Sequence, residues 1–285
     1  MPEERLTKNQ RREQARELAR KEREKAQRRD RLRKILIPVI VVVVLVAAAG
    51  ITTAVIINQP KPAPVSANGP KNMIGDGIVL SGKGGKIVAT RSAGIKKGET
   101  PAPIPTDTSA GAPVHITTYV DWACPVCKTF EETNSAYITD LVKSGKAVLQ
   151  VMPVAIVDRS YQTSRYSSRA NNAAACVANY DPDDFLTVQK AFYDNQPQEG
   201  TTGLTNTQIV NLVKKAGLDD PKVTSCINGE SFKKWVSAAT TRAVNDPTLQ
   251  GSQGFGTPTV FVNGKQYTTV TADNATFTAF VESAS

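Results

Sequence analysis

The chain of 285 residues is long enough for one sizeable domain with accessory segments and too short for two large domains. Its net charge of +9 would suit a nucleic-acid binder, but residues 1–34 hold 14 Lys and Arg against 7 Asp and Glu, a net of +7, which leaves +2 for the rest. There is no basic, aromatic-rich face, no Gly-rich phosphate loop and no second cysteine pair at metal spacing. Nucleic-acid, nucleotide and metal functions therefore have little footing, and no cofactor is expected.

In chain order, residues 1–34 read as a solvated, charged cytoplasmic tail, because Leu and Ala are too sparse there to draw an apolar stripe. Residues 35–57 are apolar apart from Thr52 and Thr53 and carry no charge. As a helix they would cover about 35 Å against about 30 Å of hydrocarbon, so a single transmembrane span is expected. Arg28, Arg29, Arg31, Arg33 and Lys34 flank its start, suit anionic headgroups, and place that end in the cytoplasm and residues 58–285 outside. The competing reading is a cleaved signal peptide with a small-residue site at Ala47, Ala48 and Ala49.

Residues 58–108 read as an extracytoplasmic linker carrying a β-hairpin. Its first part is rich in Pro, Ala and Ser, and Ile78-Val79-Leu80 and Ile87-Val88 then flank a glycine turn. The hairpin either adds an edge to the following sheet or packs beside it. Residues 114–120 are apolar and β-branched and predict a strand, residues 128–143 a helix, and residues 147–153 a second strand. From 159 to 245 helical spacing dominates, over 160–180, 183–194, 207–216 and 231–244, with Asp181-Pro182 and residues 217–221 as breaks. Thr259 to Val262 and a short return from Lys265 surround Asn263-Gly264, a strong hairpin signal, and residues 274–282 close the chain as a helix.

Cys124-Pro125-Val126-Cys127 stands at the junction of the strand over 114–120 with its helix. Pro125 suits the first helical position, where its missing N–H costs nothing. The Cys124 sulfur would then face unpaired backbone N–H groups and the positive end of the helix dipole, which favours thiolate. A dithiol so placed exchanges disulfides with other proteins. Two cysteines two residues apart also read as half a zinc site or as an inert disulfide.

The whole pattern of strand, Asp121, Trp122, Cys-Pro-Val-Cys and a helix opening with Lys128, Phe130 and Glu131, together with the distant Thr257-Pro258 step, resembles the active site of DsbA-family thiol-disulfide oxidoreductases, of the membrane-anchored actinobacterial type. The resemblance implies an α/β architecture, a thioredoxin fold over 109–285 whose helical insertion, about 159–245, covers the active site. It implies that Cys124, Cys127, Thr257 and Pro258 are catalytic, supported by Pro125, Val126, Asp121 and Trp122, and that a cis Thr257-Pro258 bond faces the two cysteines. A generic strand-start turn is the alternative at Thr257-Pro258. With Cys124 and Cys127 as the exchange pair, Cys176 and Cys226 are left to form a structural disulfide, or to remain two buried thiols. The implied partners are exported cysteine-containing proteins and a quinone-linked membrane oxidase, and the implied place is the cell membrane with the catalytic domain outside.

Two positions depart from the family pattern. Val126 stands where many relatives have a histidine between the cysteines, and Thr118 stands six residues before Cys124, where thioredoxin-like proteins often carry a buried proton-relaying acid; Asp121 is the nearest substitute. The only histidine, His115, is expected at the edge of its strand, away from the chemistry. These departures leave isomerase or reductase work open beside oxidation. A non-catalytic extracytoplasmic binding module is the reading from another class.

Overall fold

A computed structural model describes residues 67–102, 109, 111–251, 254–269 and 273–284. The charged tail over 1–34, the apolar span over 35–57 and the first part of the linker lie outside the described residues. Among the described residues, no helix is long and apolar enough to cross a membrane.

Ile78–Lys83 (β1) and Lys86–Ala89 (β2) form the hairpin, turned by Gly84 and Gly85 at φ 58° and 74°, backbone conformations that cost glycine least. Val114–Val120 (β3), the helix Pro125–Lys143 (α1) and Ala147–Pro153 (β4) form a strand, helix, strand unit in which β3 and β4 are parallel. Five helices follow: Tyr166–Tyr180 (α2), Phe185–Asp194 (α3), Asn206–Lys215 (α4), Pro221–Asn228 (α5) and Lys233–Asn245 (α6). Thr259–Val262 (β5) and Lys265–Tyr267 (β6) return antiparallel through Asn263 and Gly264, both at positive φ, before the last helix, Asn274–Ala284 (α7).

The strands make one sheet in the order β2-β1-β4-β3-β5-β6. The hairpin thus extends this sheet, β1 running antiparallel to β4 with Ile78 opposite Val151. Its Gly82 passes so close to the end of α1 that a Cβ there would meet the Val142 carbonyl oxygen at 2.1 Å. Residues before the hairpin are held to the helical insertion. Asn72 donates to the Ala178 carbonyl at 2.8 Å, and Arg242 forks onto Asp76 through two contacts of 2.6 Å. Pairing edges and these buried hydrogen bonds decide the hairpin's place.

Helix α1 buries Phe130, Ile138 and Val142. Phe277 of α7 fills the space between Phe130 and Tyr267, with ring centroids 5.3 and 5.2 Å away. The insertion differs from the sequence expectation at two places. Helix α2 begins at Tyr166, six residues later than expected, because Asp158–Ser160 forms a 3-10 turn and Arg165 adopts a left-handed φ of 53°. Helix α5 starts on Pro221, the last residue of the expected break, and runs through residues that no expected element covers. Asp220 caps it by accepting the Lys222 N–H at 2.6 Å, and Pro221 occupies its first turn, so the Asp-Pro pair read as a stop is a start.

Cys176 of α2 and Cys226 of α5 are joined by a disulfide with a Cα separation of 5.8 Å, both residues being buried. The bridge ties segments 50 residues apart, so replacing both cysteines with serine is expected to cost about 4 kcal/mol in the chain-entropy account. Urea unfolding of the double variant checks this. A loss under about 1 kcal/mol would show that packing between the two helices already supplies the constraint.

Candidate active site

The site grows from the end of β3. At Val120 the strand stops, and Asp121 turns the chain: its carboxylate accepts the Ala123 N–H at 2.9 Å and its carbonyl accepts the Cys124 N–H at 3.0 Å. Cys124 is the N-cap residue of α1, extended at φ −84° and ψ 122°, with Pro125 in the first helical turn, as the spacing predicts. The Cys124 carbonyl takes the first helical hydrogen bond, from the Lys128 N–H at 3.1 Å. The two cysteines are free thiols, with Cys124 5% and Cys127 1% exposed, while Val126 between them is 48% exposed. Trp122 is fully buried, its ring 4.5 Å from Phe192 of α3.

The Thr257-Pro258 peptide bond is cis, and the Thr257 carbonyl lies 3.6 Å from the Cys124 sulfur, which can donate to it as a thiol. The buried Thr257 hydroxyl has no hydrogen-bond partner among the described residues. That rotor is free to turn onto either sulfur once it is charged. Turned so, it lowers the pKa of both Cys124 and Cys127.

Cys124 is held down to about 6, chiefly by the hydrogen bond from the Cys127 thiol, with Thr257 and the backbone N–H groups of Cys127 and Val126 adding less and burial opposing them. The sequence pointed to the helix terminus as the main stabiliser. The neighbouring thiol outranks it because it reaches the sulfur directly. Burial and the same contact push Cys127 well up, so one sulfur is a thiolate near neutrality and the other keeps its proton.

This asymmetry makes the stability of the dithiol form depend on pH. Because the folded Cys124 lies near 6 and an unfolded cysteine near 8.5, its contribution is lost as pH falls through about 6 and is complete above about 8.5. Between pH 5 and pH 8 the stability advantage of the reduced protein over its Cys124→Ser variant should grow by about 2 kcal/mol, less than full linkage because the sulfur is near the mouth of the site. Urea midpoints at the two pH values measure it. An advantage that shrinks as pH rises would reverse the sign.

Several residues without a motif complete the site. Gln196 Nε2 donates to the carbonyls of Trp122 and Cys124 at 3.0 and 3.1 Å, and the Tyr161 hydroxyl lies 2.8 Å from the Ala123 carbonyl. The Asp121 carboxylate, fully buried, also accepts from the N–H groups of Ile156 and Val157, from the Ser167 hydroxyl at 2.6 Å and from Asn171. Burial pushes Asp121 up, and the donors from Ser167, Ala123, Ile156 and Val157 pull it back. Their contributors lie 35 to 74 residues from their partners, at separations no local spacing encodes.

His115 lies near the start of β3, at the opposite end from the cysteines. It is buried rather than at an edge, because β4 and β5 flank its strand, and burial lowers its pKa. Among the described residues no group of three or more His, Cys, Asp or Glu could hold a metal ion.

Comparison with known proteins agrees with this geometry. The thioredoxin family model matches residues 109–283. The chain is 28% identical to reduced DsbA of Mycobacterium tuberculosis, covering 74% of this chain and 92% of that one with a TM-score of 0.55. It is 32% identical to the reduced form of the disulfide bond oxidoreductase DsbG of Mycobacterium tuberculosis, covering 64% and 83% with a TM-score of 0.52. A probable disulfide bond formation protein D of Bacillus cereus is 24% identical over 156 residues, which are 54% of this chain and 67% of that protein. With a strand-to-helix cysteine pair facing a cis-proline in a mixed sheet interrupted by helices, the chain belongs to the thioredoxin family, among the DsbA-type thiol-disulfide oxidoreductases.

Proposed function

We propose that the chain introduces disulfides into exported proteins outside the cytoplasm by exchange through Cys124 and Cys127. The observation that carries the reading is the divided acidity of the pair: Cys124 held to about 6 beside a buried Cys127 pushed well up. A thiolate stabilised in the reduced state makes the disulfide a stronger oxidant. A substrate thiolate attacks the Cys124 sulfur, the Cys124–Cys127 bond breaks, and Cys127 leaves with the electron pair. A second substrate thiolate then attacks the substrate sulfur of the mixed disulfide and Cys124 leaves as thiolate. The substrate is oxidised by two electrons and the enzyme reduced by two. The exposed Val126 and the Thr257 backbone beside Cys124 offer an extended substrate segment an apolar contact and strand-like pairing.

In this reading residues 35–57 anchor the protein in the bilayer, residues 1–34 remain cytoplasmic, the domain over 109–285 works outside, and a quinone-linked membrane oxidase withdraws the electrons. The basic flank of the apolar run supports that orientation. Titration of the full chain against glutathione tests the direction of exchange. A potential of about −230 mV or higher fits an oxidase or isomerase, and one near −270 mV, the thioredoxin range, would mark a reductase.

A further inference from the structure

Between Asp121 and Pro125 the chain passes through three successive peptide planes, and their orientation decides where the Cys124 sulfur points. The nitrogen ends of the first two are held from within the loop: the Ala123 N–H donates to the Asp121 carboxylate at 2.9 Å and the Cys124 N–H to the Asp121 carbonyl at 3.0 Å. The third plane ends in Pro125, which has no N–H. A plane held at one end only is free to turn about the chain, so the oxygen ends complete the constraint.

All three oxygen ends are gripped by the helical insertion. Gln196 Nε2 donates to the carbonyls of Trp122 and Cys124 at 3.0 and 3.1 Å, and the Tyr161 hydroxyl reaches the Ala123 carbonyl at 2.8 Å. Among the described residues the Trp122 and Ala123 carbonyls, on two fully buried residues, have no other donor. Both partners of the Gln196 amide are acceptors, so its NH2 group must face the loop. Gln196 is itself fixed just past α3 by its own N–H, which donates to the Tyr193 carbonyl at 3.3 Å. The Tyr161 hydroxyl also lies 3.0 Å from the carbonyl of Pro197, next to Gln196, so its one proton is shared between the loop and the insertion.

Resting on the exchange reaction proposed above, we infer that Gln196 and Tyr161 are positioning residues for it: by gripping the carbonyls of Trp122, Ala123 and Cys124 they fix the Cys124 sulfur against the first turn of α1, so that the helical insertion sets how readily that sulfur leaves as a thiolate. Cys124 is the N-cap residue, and only with its backbone held at φ −84° and ψ 122° does its side chain stay beside the open N–H groups of that turn. Releasing the carbonyls lets the planes turn towards water, and the sulfur turns with them. The titratable groups that face Cys124 are Cys127 of its own helix and, from the insertion, Tyr161 and Tyr193, whose phenols burial pushes up so that they stay neutral. Asp121 stands at the foot of the loop, and the cis-proline side brings Thr257, which does not titrate.

The test takes the full chain in detergent and reads three quantities: the pH midpoint of Cys124 alkylation by iodoacetamide, the equilibrium with glutathione, and the urea midpoint. The wild-type alkylation midpoint should lie at about 6. Gln196→Met keeps the length of the side chain and removes both hydrogen bonds, so its midpoint should rise by about one pH unit. At pH 7 its glutathione equilibrium should move about fivefold towards the protein disulfide, because a less stabilised thiolate makes a weaker oxidant. Tyr161→Phe keeps its ring against Tyr166, 4.9 Å away, and frees only the Ala123 carbonyl, so the midpoint should rise by about half a unit. Gln196→Lys, which donates and cannot accept, should hold the midpoint at or below the wild-type value. Gln208→Ala, which breaks the capping box at the start of α4, should lower the urea midpoint and leave alkylation unmoved. A folded Gln196→Met or Tyr161→Phe that loses stability yet keeps the wild-type alkylation midpoint and equilibrium would reduce these side chains to structural supports and overturn the inference, as would a Gln196→Lys midpoint raised as far as that of Gln196→Met. Should Gln196→Met not fold, Tyr161→Phe decides. A wild-type protein that never equilibrates with glutathione would instead sink the exchange reading, while the alkylation midpoints still test the positioning.

Discussion

A Cys127→Ser variant is expected to accumulate mixed disulfides with substrate proteins through Cys124, while Cys124→Ser forms none. The reason is the unequal acidity of the two sulfurs. With Cys124 near 6, about nine-tenths of it is thiolate at pH 7, whereas Cys127, pushed well up by burial and by its contact with Cys124, keeps its proton. Exchange by Cys124→Ser should therefore fall by on the order of a hundredfold or more, because only the poorly ionised, more deeply buried thiol remains. In Cys127→Ser the Cys124 thiolate still attacks a disulfide of a substrate protein, the reverse of the oxidation step, and the thiol that would displace that substrate is missing. Non-reducing electrophoresis with mass spectrometric mapping of the trapped bond decides the matter, and adducts on Cys127 in the Cys124→Ser protein would reverse the roles.

Asp121→Ala should be the most destabilising single change near the site. It strands three backbone N–H groups, on Ala123, Ile156 and Val157, and removes the partner of the Ser167 hydroxyl in a site closed to water. Each unsatisfied donor costs roughly 1–3 kcal/mol, and with partial relaxation a total near 4 kcal/mol is expected. Asp121→Asn should fall between, since the amide keeps one acceptor but turns an NH2 group towards donors. Urea unfolding measures the loss. Absorbance titration of the Cys124 thiolate should in addition show its pKa rising, because the turn that places Cys124 at the N-cap loosens. A loss below about 1 kcal/mol with the Cys124 titration unmoved would show that the loop is held by Gln196 and Tyr161 alone.

The asymmetry of these two predictions reflects where information sits in the chain. Strands β3 and β4 begin and end where the sequence places them, because alternation and β-branching are local properties. The position of Cys124 at a helix start follows from its own neighbours, Pro125 above all. The hairpin turns at Gly84-Gly85 and Asn263-Gly264 are equally local. Helix α5 shows the limit of such reading, since Asp-Pro is compatible with ending one helix or capping the next, and only what packs afterwards separates the two.

By itself, the amino-acid sequence determined the strand, turn and helix that carry the cysteine pair, and through them the chemistry the pair can do. Tertiary structure alone decided that the first hairpin completes the sheet at β4, that Thr257-Pro258 is cis beside Cys124, and that Cys176 joins Cys226. It also decided which distant polar side chains hold the active-site loop: Asp121 spent on backbone donors, and Gln196 and Tyr161 on the loop carbonyls. The physical reason is range. Backbone preference acts over a few residues, whereas a buried donor must find its acceptor wherever packing brings one, here up to 74 residues away within the active-site loop's own contacts.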